Sequence, residues 1–278
     1  MYKDTIETLN NMAVTKKNLL NDSLARFLVS ASLAGAYIGL AVVLSFSLGG
    51  LFSEMSGPLA SLLVGLSFGI ALVLIIFAGA ELFTGNNMIF TISSLSGATT
   101  WAETTKNWFW CYIGNLLGAS LFCILILFSG IFSNISNDHF LMSVAANKMS
   151  LSTSELFFRG ILCNWLVCLA IWCTLRTKND AAKIMIILWI LLTFIVSGYE
   201  HSIANMAILG LALIHPSPDT VTFAGYLSNL IPVTLGNMVG GTIFVGCLYW
   251  IISPQRKEKE SVAMKSSLSV RKSVASLK

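Results

Sequence analysis

Along this chain, apolar and polar positions neither alternate nor recur at a helical period; they segregate into long apolar runs joined by short polar stretches. A helix crosses the hydrocarbon core of a bilayer with roughly 20 apolar residues. Runs near that length lie at 25–48, 58–82, 107–132, 156–175 and 226–252. A sixth region, 184–213, contains two shorter apolar stretches split by Ser197-Gly198-Tyr199-Glu200-His201-Ser202. A similar polar cluster, GAELFTGNNM at 79–88, closes the second run. The pattern predicts an all-α membrane protein with six transmembrane helices, the second broken at 83–87 and the fifth at 197–202. It divides the chain into an N-terminal segment 1–24, a membrane domain 25–252 and a tail 253–278.

Composition agrees: 55% of the residues are hydrophobic and 11% charged, where soluble domains carry about a quarter charged. Mean hydropathy is +0.78. The net charge of +4 does not imply nucleic acid, because the basic residues are sorted by side. With six spans, one face receives Lys3, Lys16, Lys17, Arg26, Lys106, Arg176, Lys178, Lys183 and seven basic residues of the tail, 15 of the 17 Lys+Arg. The opposite face keeps Lys148 and Arg159. Basic loops stay cytoplasmic, so both termini are expected in the cytoplasm and the chain in the cell (inner) membrane. The first two dozen residues do not read as a secretory signal. Ile6, Leu9, Ala13, Leu19 and Leu20 share one face of an amphipathic helix at the membrane surface, and the basic, Ser-rich tail reads as solvated. All six cysteines fall within predicted spans, without a Cys-x-x-Cys pair, and read as packing residues.

The chain also repeats itself. Gly114-Asn115 and Gly118 recur as Gly236-Asn237 and Gly240, 122 residues on. Gly79-Ala80-Glu81 with Asn87 recurs as Gly198-Tyr199-Glu200 with Asn205, the glutamates 119 apart. Each copy, about 25–132 and 156–252, holds three spans, an odd number, so the second enters the membrane inverted. Inverted repeats with interrupted helices are typical of transporters and channels, whose pathway runs between the copies. A break leaves backbone groups unpaired and survives only inside protein or along a cavity. Gly85 is expected to permit the first turn, with Asn86 and Asn87 satisfying orphan backbone groups and capping the next half-helix. Glu81 and Glu200 are read first as structural, accepting N–H groups at half-helix N-termini. The Gly-x-x-x-Gly pairs allow close helix approach.

The candidate chemistry is sparse. His201 is either a packing residue or a pathway group able to hold or give a proton; its place beside Glu200 at the second break favours the pathway. Thr84 supplies a hydroxyl at the tip of the first break. Lys148 is a solvated loop lysine or an attractor of anions, and Asn164, in mid-span, needs a hydrogen-bond partner. No metalloprotease, nucleophile-elbow, P-loop or dinucleotide motif occurs. His139 and His215 lie apart from any cluster, so no cofactor or metal is expected; an intramembrane enzyme is the weak alternative, since it would require a nucleophile or metal triad that the sequence does not offer.

Taken together, the Gly79–Asn87 motif, Asn164, Glu200-His201 and the six spans resemble the formate–nitrite transporter family over residues 5–252, and most closely its hydrosulfide channel subgroup. The resemblance implies an aquaporin-like fold assembled as a homopentamer in membrane lipid, one pore per protomer. It assigns Leu82 to a cytoplasmic constriction and Phe68, Leu72 and Phe194 to an outer one. Thr84 and His201 would lie between them, with Lys148 and Asn164 close to His201. The implied function is passive conduction of a small weak-acid anion, hydrosulfide first and formate or nitrite, with or without a coupled proton, as alternatives.

Overall fold

The computed structural model describes residues 2–53 and 57–253; the expected tail, from residue 254 on, lies outside them. The described residues form helices throughout: α1 (Lys3–Asp22), α2 (Leu24–Ser53), α3 (Gly57–Phe68), α4 (Ile70–Leu74), α5 (Phe83–Leu95), α6 (Trp101–Ser129), α7 (Phe140–Ser150), α8 (Thr153–Thr174), α9 (Asp180–Val196), α10 (Ser202–Ile214), α11 (Phe223–Val239) and α12 (Leu248–Ile251). A π turn at Ile75–Gly79 extends α4, and another at Gly240–Cys247 joins α11 to α12.

Among the described residues, five helical stretches are long and apolar enough to cross a membrane: Leu24–Phe52, Pro58–Gly79, Trp101–Ser129, Thr153–Thr174 and Phe223–Ile251. The sixth crossing is made in two pieces, the 17-residue α9 and the short apolar α10. Side chains such as Leu125, Phe128 and Trp189 are exposed around the bundle, as expected where lipid or another protomer replaces water. Helix α1 turns Ile6, Leu9, Ala13 and Leu20 into the protein. Its start is tied to the other end of the chain, with the Tyr2 ring 5.7 Å from Tyr249 and 6.1 Å from Trp172. The two ends of the described chain therefore share one face.

The two copies pack alike. An added Cβ at Gly118 would meet the Ser32 backbone of α2, and one at Gly236 the Phe157 backbone of α8. The glycines thus seat α6 on α2 and α11 on α8 at backbone contact. Two short helices, each buried on nearly every side, pack on them crosswise: α10 lies on α2 and α6, and α5 on α8 and the π turn after α11. These run oppositely: α5 leads to the start of α6, beside α1, whereas α10 ends at His215 against Phe132, just beyond the end of α6.

One expectation needs correction. The first break lies not at 83–87 but at Gly79–Leu82, ahead of α5. The reversal is made by Gly79 at φ +81°, and its counterpart Gly198 has φ +71°; a positive φ of this kind is open to glycine at little cost. Gly85 is an ordinary helical residue, with the Ile171 side chain where its Cβ would go. Asn86 and Asn87 lie inside α5 and do not cap it.

Candidate functional site

Breaking a helix in mid-membrane exposes an N–H on one side and carbonyls on the other, and each copy satisfies them with a single asparagine from its third span. Asn115 Oδ1 accepts from Phe83 N–H at 2.9 Å, while its Nδ2 donates to the carbonyls of Ala31 and Glu81 at 2.8 and 2.7 Å. Asn237 Oδ1 accepts from Ser202 N–H at 2.8 Å, and its Nδ2 donates to Gly160 and Glu200 at 2.8 and 2.9 Å. Both side chains are fully buried. These clamps, rather than Asn86 and Asn87, answer the orphan groups.

The glutamates accept side-chain donors, not the half-helix N–H groups expected of them. Glu81 takes Asn86 Nδ2 at 3.0 Å and Lys16 Nζ at 2.8 Å. Glu200 takes Asn205 Nδ2 at 2.6 Å and Lys148 Nζ at 2.8 Å. Each chain of bonds continues to one more asparagine, Asn107 at 3.0 Å in the first copy and Asn229 at 2.7 Å in the second. Taking a carboxylate out of water is costly without an opposite charge and hydrogen bonds beside it, and each of these has both. Lys148 is thus not a solvated loop residue: it sits in α7, its side chain 16% exposed, against a glutamate.

His201 caps α10. Its Nδ1 accepts from Ala204 N–H at 3.1 Å, so the ring proton sits on Nε2, 3.0 Å from Thr84 Oγ1. A second proton would have to displace the cap. The Thr84 hydroxyl accepts from Nε2–H and keeps its own hydrogen for another acceptor. Asn164 reaches the same threonine from its backbone side: its Nδ2 donates to the carbonyls of Asn237 and Thr84 and to Asn87 Oδ1 at 2.7, 3.2 and 3.2 Å, tying α5 to the second copy. Asn87 contributes that acceptor.

Three cavities follow one another through the bundle. A vestibule of about 320 Å³ is walled by Lys148, Glu200, Arg159, Asn205 and His201, and narrows at Phe68 and Phe194. Those two rings meet edge to face, 5.6 Å apart. They also wall a central chamber of about 20 Å³, with Leu72, Leu82 and His201. Leu82 and Ile75 then border a second vestibule of about 380 Å³, where Lys16, Glu81, Asn86 and Gly85 face one another. Each vestibule contains one Lys–Glu pair, and the chamber between them has an apolar wall but for the histidine.

The sequence model of the formate/nitrite transporter family matches residues 3–251. The chain belongs to this family. It is 42% identical over 259 residues to the "Nitrite transporter NirC" of Escherichia coli (strain K12), covering 92% of this chain and 94% of that protein. Among solved structures it is similar to an "FNT family ion channel", at a TM-score of 0.87 and 40% identity over 91% of this chain and 100% of the other. A "Pentameric formate channel with formate bound" follows at a TM-score of 0.71 and 30% identity, covering 83% and 98%. As a formate/nitrite transporter, the chain is an integral membrane protein, and the family's members are transporters and channels. Two site features of this family member were missed in the sequence. In the sequence Lys16 and Arg159 stand only as charges sorted to opposite faces. Nothing local marks either, because Glu81 is 65 positions from Lys16.

Proposed function

We propose that this protein is a passive channel for small monovalent anions of weak acids, working as a homopentamer with one path through each protomer. The observation that carries the reading is the line of cavities: a charged vestibule at each end and a small apolar chamber between, with the Thr84–His201 pair beside it. Positive-inside sorting of the basic residues supports an outer Lys148 vestibule, an inner Lys16 vestibule and both termini in the cytoplasm. With Lys148 and Glu200 paired at 2.8 Å, Arg159 in the same wall leaves this vestibule a positive charge, which raises local anion concentration. An unpaired anion is expensive to move into an apolar slit, whereas the neutral acid escapes most of that cost. Beside the chamber, His201 Nε2–H donates to the Thr84 hydroxyl, whose own hydrogen, polarised by that bond, is left to replace lost hydration. His201 acts here as a fixed donor.

Hydrosulfide is the substrate that the chamber favours. A space of about 20 Å³ takes about one water-sized particle, and HS⁻ has one heavy atom where nitrite and formate have three. Nitrite is the second reading, favoured by the name of the 42%-identical relative. The experiment is stopped-flow uptake of hydrosulfide, nitrite and formate into proteoliposomes, with His201→Phe and Thr84→Ala alongside. The reading expects fast hydrosulfide flux, cut about 10-fold or more by either change, as loss of a hydrogen bond to a charged group implies. Nitrite or formate preference would replace the substrate and keep the channel; no flux of any of the three would overturn it.

A further inference from the structure

Arg159 and Ser30 occupy equivalent places in the two inverted copies. The Arg159 carbonyl accepts from Glu200 N–H at 3.3 Å, as the Ser30 carbonyl accepts from Glu81 N–H at 3.2 Å. Their side chains differ. A guanidinium enters the wall of the Lys148 vestibule where a hydroxyl enters that of the Lys16 vestibule. In each vestibule the lysine and glutamate offset one another at 2.8 Å. The charge left over in the Lys148 vestibule is that of Arg159. Among the described residues its one ion-pair contact is to Glu155 Oε1 at 3.6 Å, longer than a hydrogen bond, and the other Glu155 oxygen is held by Ser152 N–H and Oγ at 3.0 and 2.7 Å. Of the five N–H donors of a guanidinium, one reaches the Gly198 carbonyl, at 3.4 Å. The side chain, 37% exposed, lines the vestibule, where the remaining donors of the fork can meet an anion.

We propose that Arg159 forms a docking site, in the Lys148 vestibule, for planar anions with two coplanar oxygens, the class to which nitrite and formate belong. A guanidinium holds such anions by two parallel N–H···O bonds, a geometry that Lys cannot reproduce. Hydrosulfide has a single acceptor centre and feels only the charge. The inference rests on the channel reading above and adds an asymmetry to it. A passive path has the same permeability in both directions at low concentration, so the site acts on half-saturation from its own side and not on the direction of net flow.

The test is initial uptake of nitrite, formate and hydrosulfide by right-side-out and inverted membrane vesicles containing the wild type, Arg159→Lys or Arg159→Ser. Arg159→Lys keeps the charge and should raise half-saturation for nitrite and formate about fivefold from the Lys148 side, the scale of a half-exposed charge pair, with hydrosulfide unchanged. Arg159→Ser installs the residue of the other copy and should raise half-saturation for all three from that side. Neither variant should shift uptake from the Lys16 side. No shift in Arg159→Lys, an equal shift for all three anions, or a wild type that carries hydrosulfide alone would overturn the docking site while leaving the channel. A wild type that carries none of the three would overturn the channel reading itself.

Discussion

Asn237→Ala removes one of the two side chains that make a break in mid-membrane tolerable. Three bonds go with it, from Ser202 N–H at 2.8 Å and to the carbonyls of Gly160 and Glu200 at 2.8 and 2.9 Å. Interhelical hydrogen bonds in membrane proteins average about 0.6 kcal/mol and reach about 1.7. Three of them, at a site with 0% exposure and no ready access for water, put the loss at about 2–5 kcal/mol. Asn115→Ala should cost the same, because the first copy spends its asparagine on the same three kinds of bond. Asn237→Asp should not recover the loss: it keeps the acceptor for Ser202 but turns an oxygen toward two carbonyls. Asn164→Ala should cost less, since two of its three contacts are 3.2 Å long. The assay is reversible unfolding in mixed micelles under an SDS titration. A loss below about 1 kcal/mol in both alanine variants would fall inside the range of a single ordinary contact and refute the clamp, as would wild-type stability in Asn237→Asp.

Lys148→Met leaves Glu200, 2% exposed, without its cation, so it should destabilise by about 3–5 kcal/mol; adding Glu200→Gln should return part of the loss, and a double variant no more stable than Lys148→Met would argue against the pair. Leu82→Ala widens the boundary between the chamber and the Lys16 vestibule, and should raise flux of formate and nitrite more than that of hydrosulfide in the uptake assay. His139, outside the spanning segments, accepts from Leu141 N–H through Nδ1 and caps α7, and burial holds its pKa below the ordinary histidine value of 6.5. The unfolded chain therefore takes the proton first: stability is full above about pH 6.5 and falls as pH drops below it. Melting curves from pH 7.5 to 5 should show a smaller decline for His139→Asn than for the wild type.

What the amino-acid sequence by itself determined is the part governed by the bilayer and by local chain symmetry. Apolar runs of span length have few alternatives in a membrane, so the crossings were legible, and the matched registers of Glu81/Glu200 and Asn115/Asn237 disclosed an inverted repeat. Thr84 and His201 stood out by their places at the breaks, whereas Phe68, Leu72 and Phe194 came only from the family resemblance, because hydropathy cannot separate them from other core positions. The tertiary structure alone decided where the first helix breaks. The 21 glycines look alike in sequence, and only the packing of α5 requires the positive φ to fall at Gly79 and not at Gly85. It also decided which charges meet. Lys16 reaches Glu81 across 65 positions and Lys148 reaches Glu200 across 52, because burying a carboxylate demands a cation from whichever helix passes nearby. The place of Arg159 in the vestibule wall was decided the same way: a side chain's surroundings are set by the neighbours that folding brings to it, and no spacing along the chain encodes them.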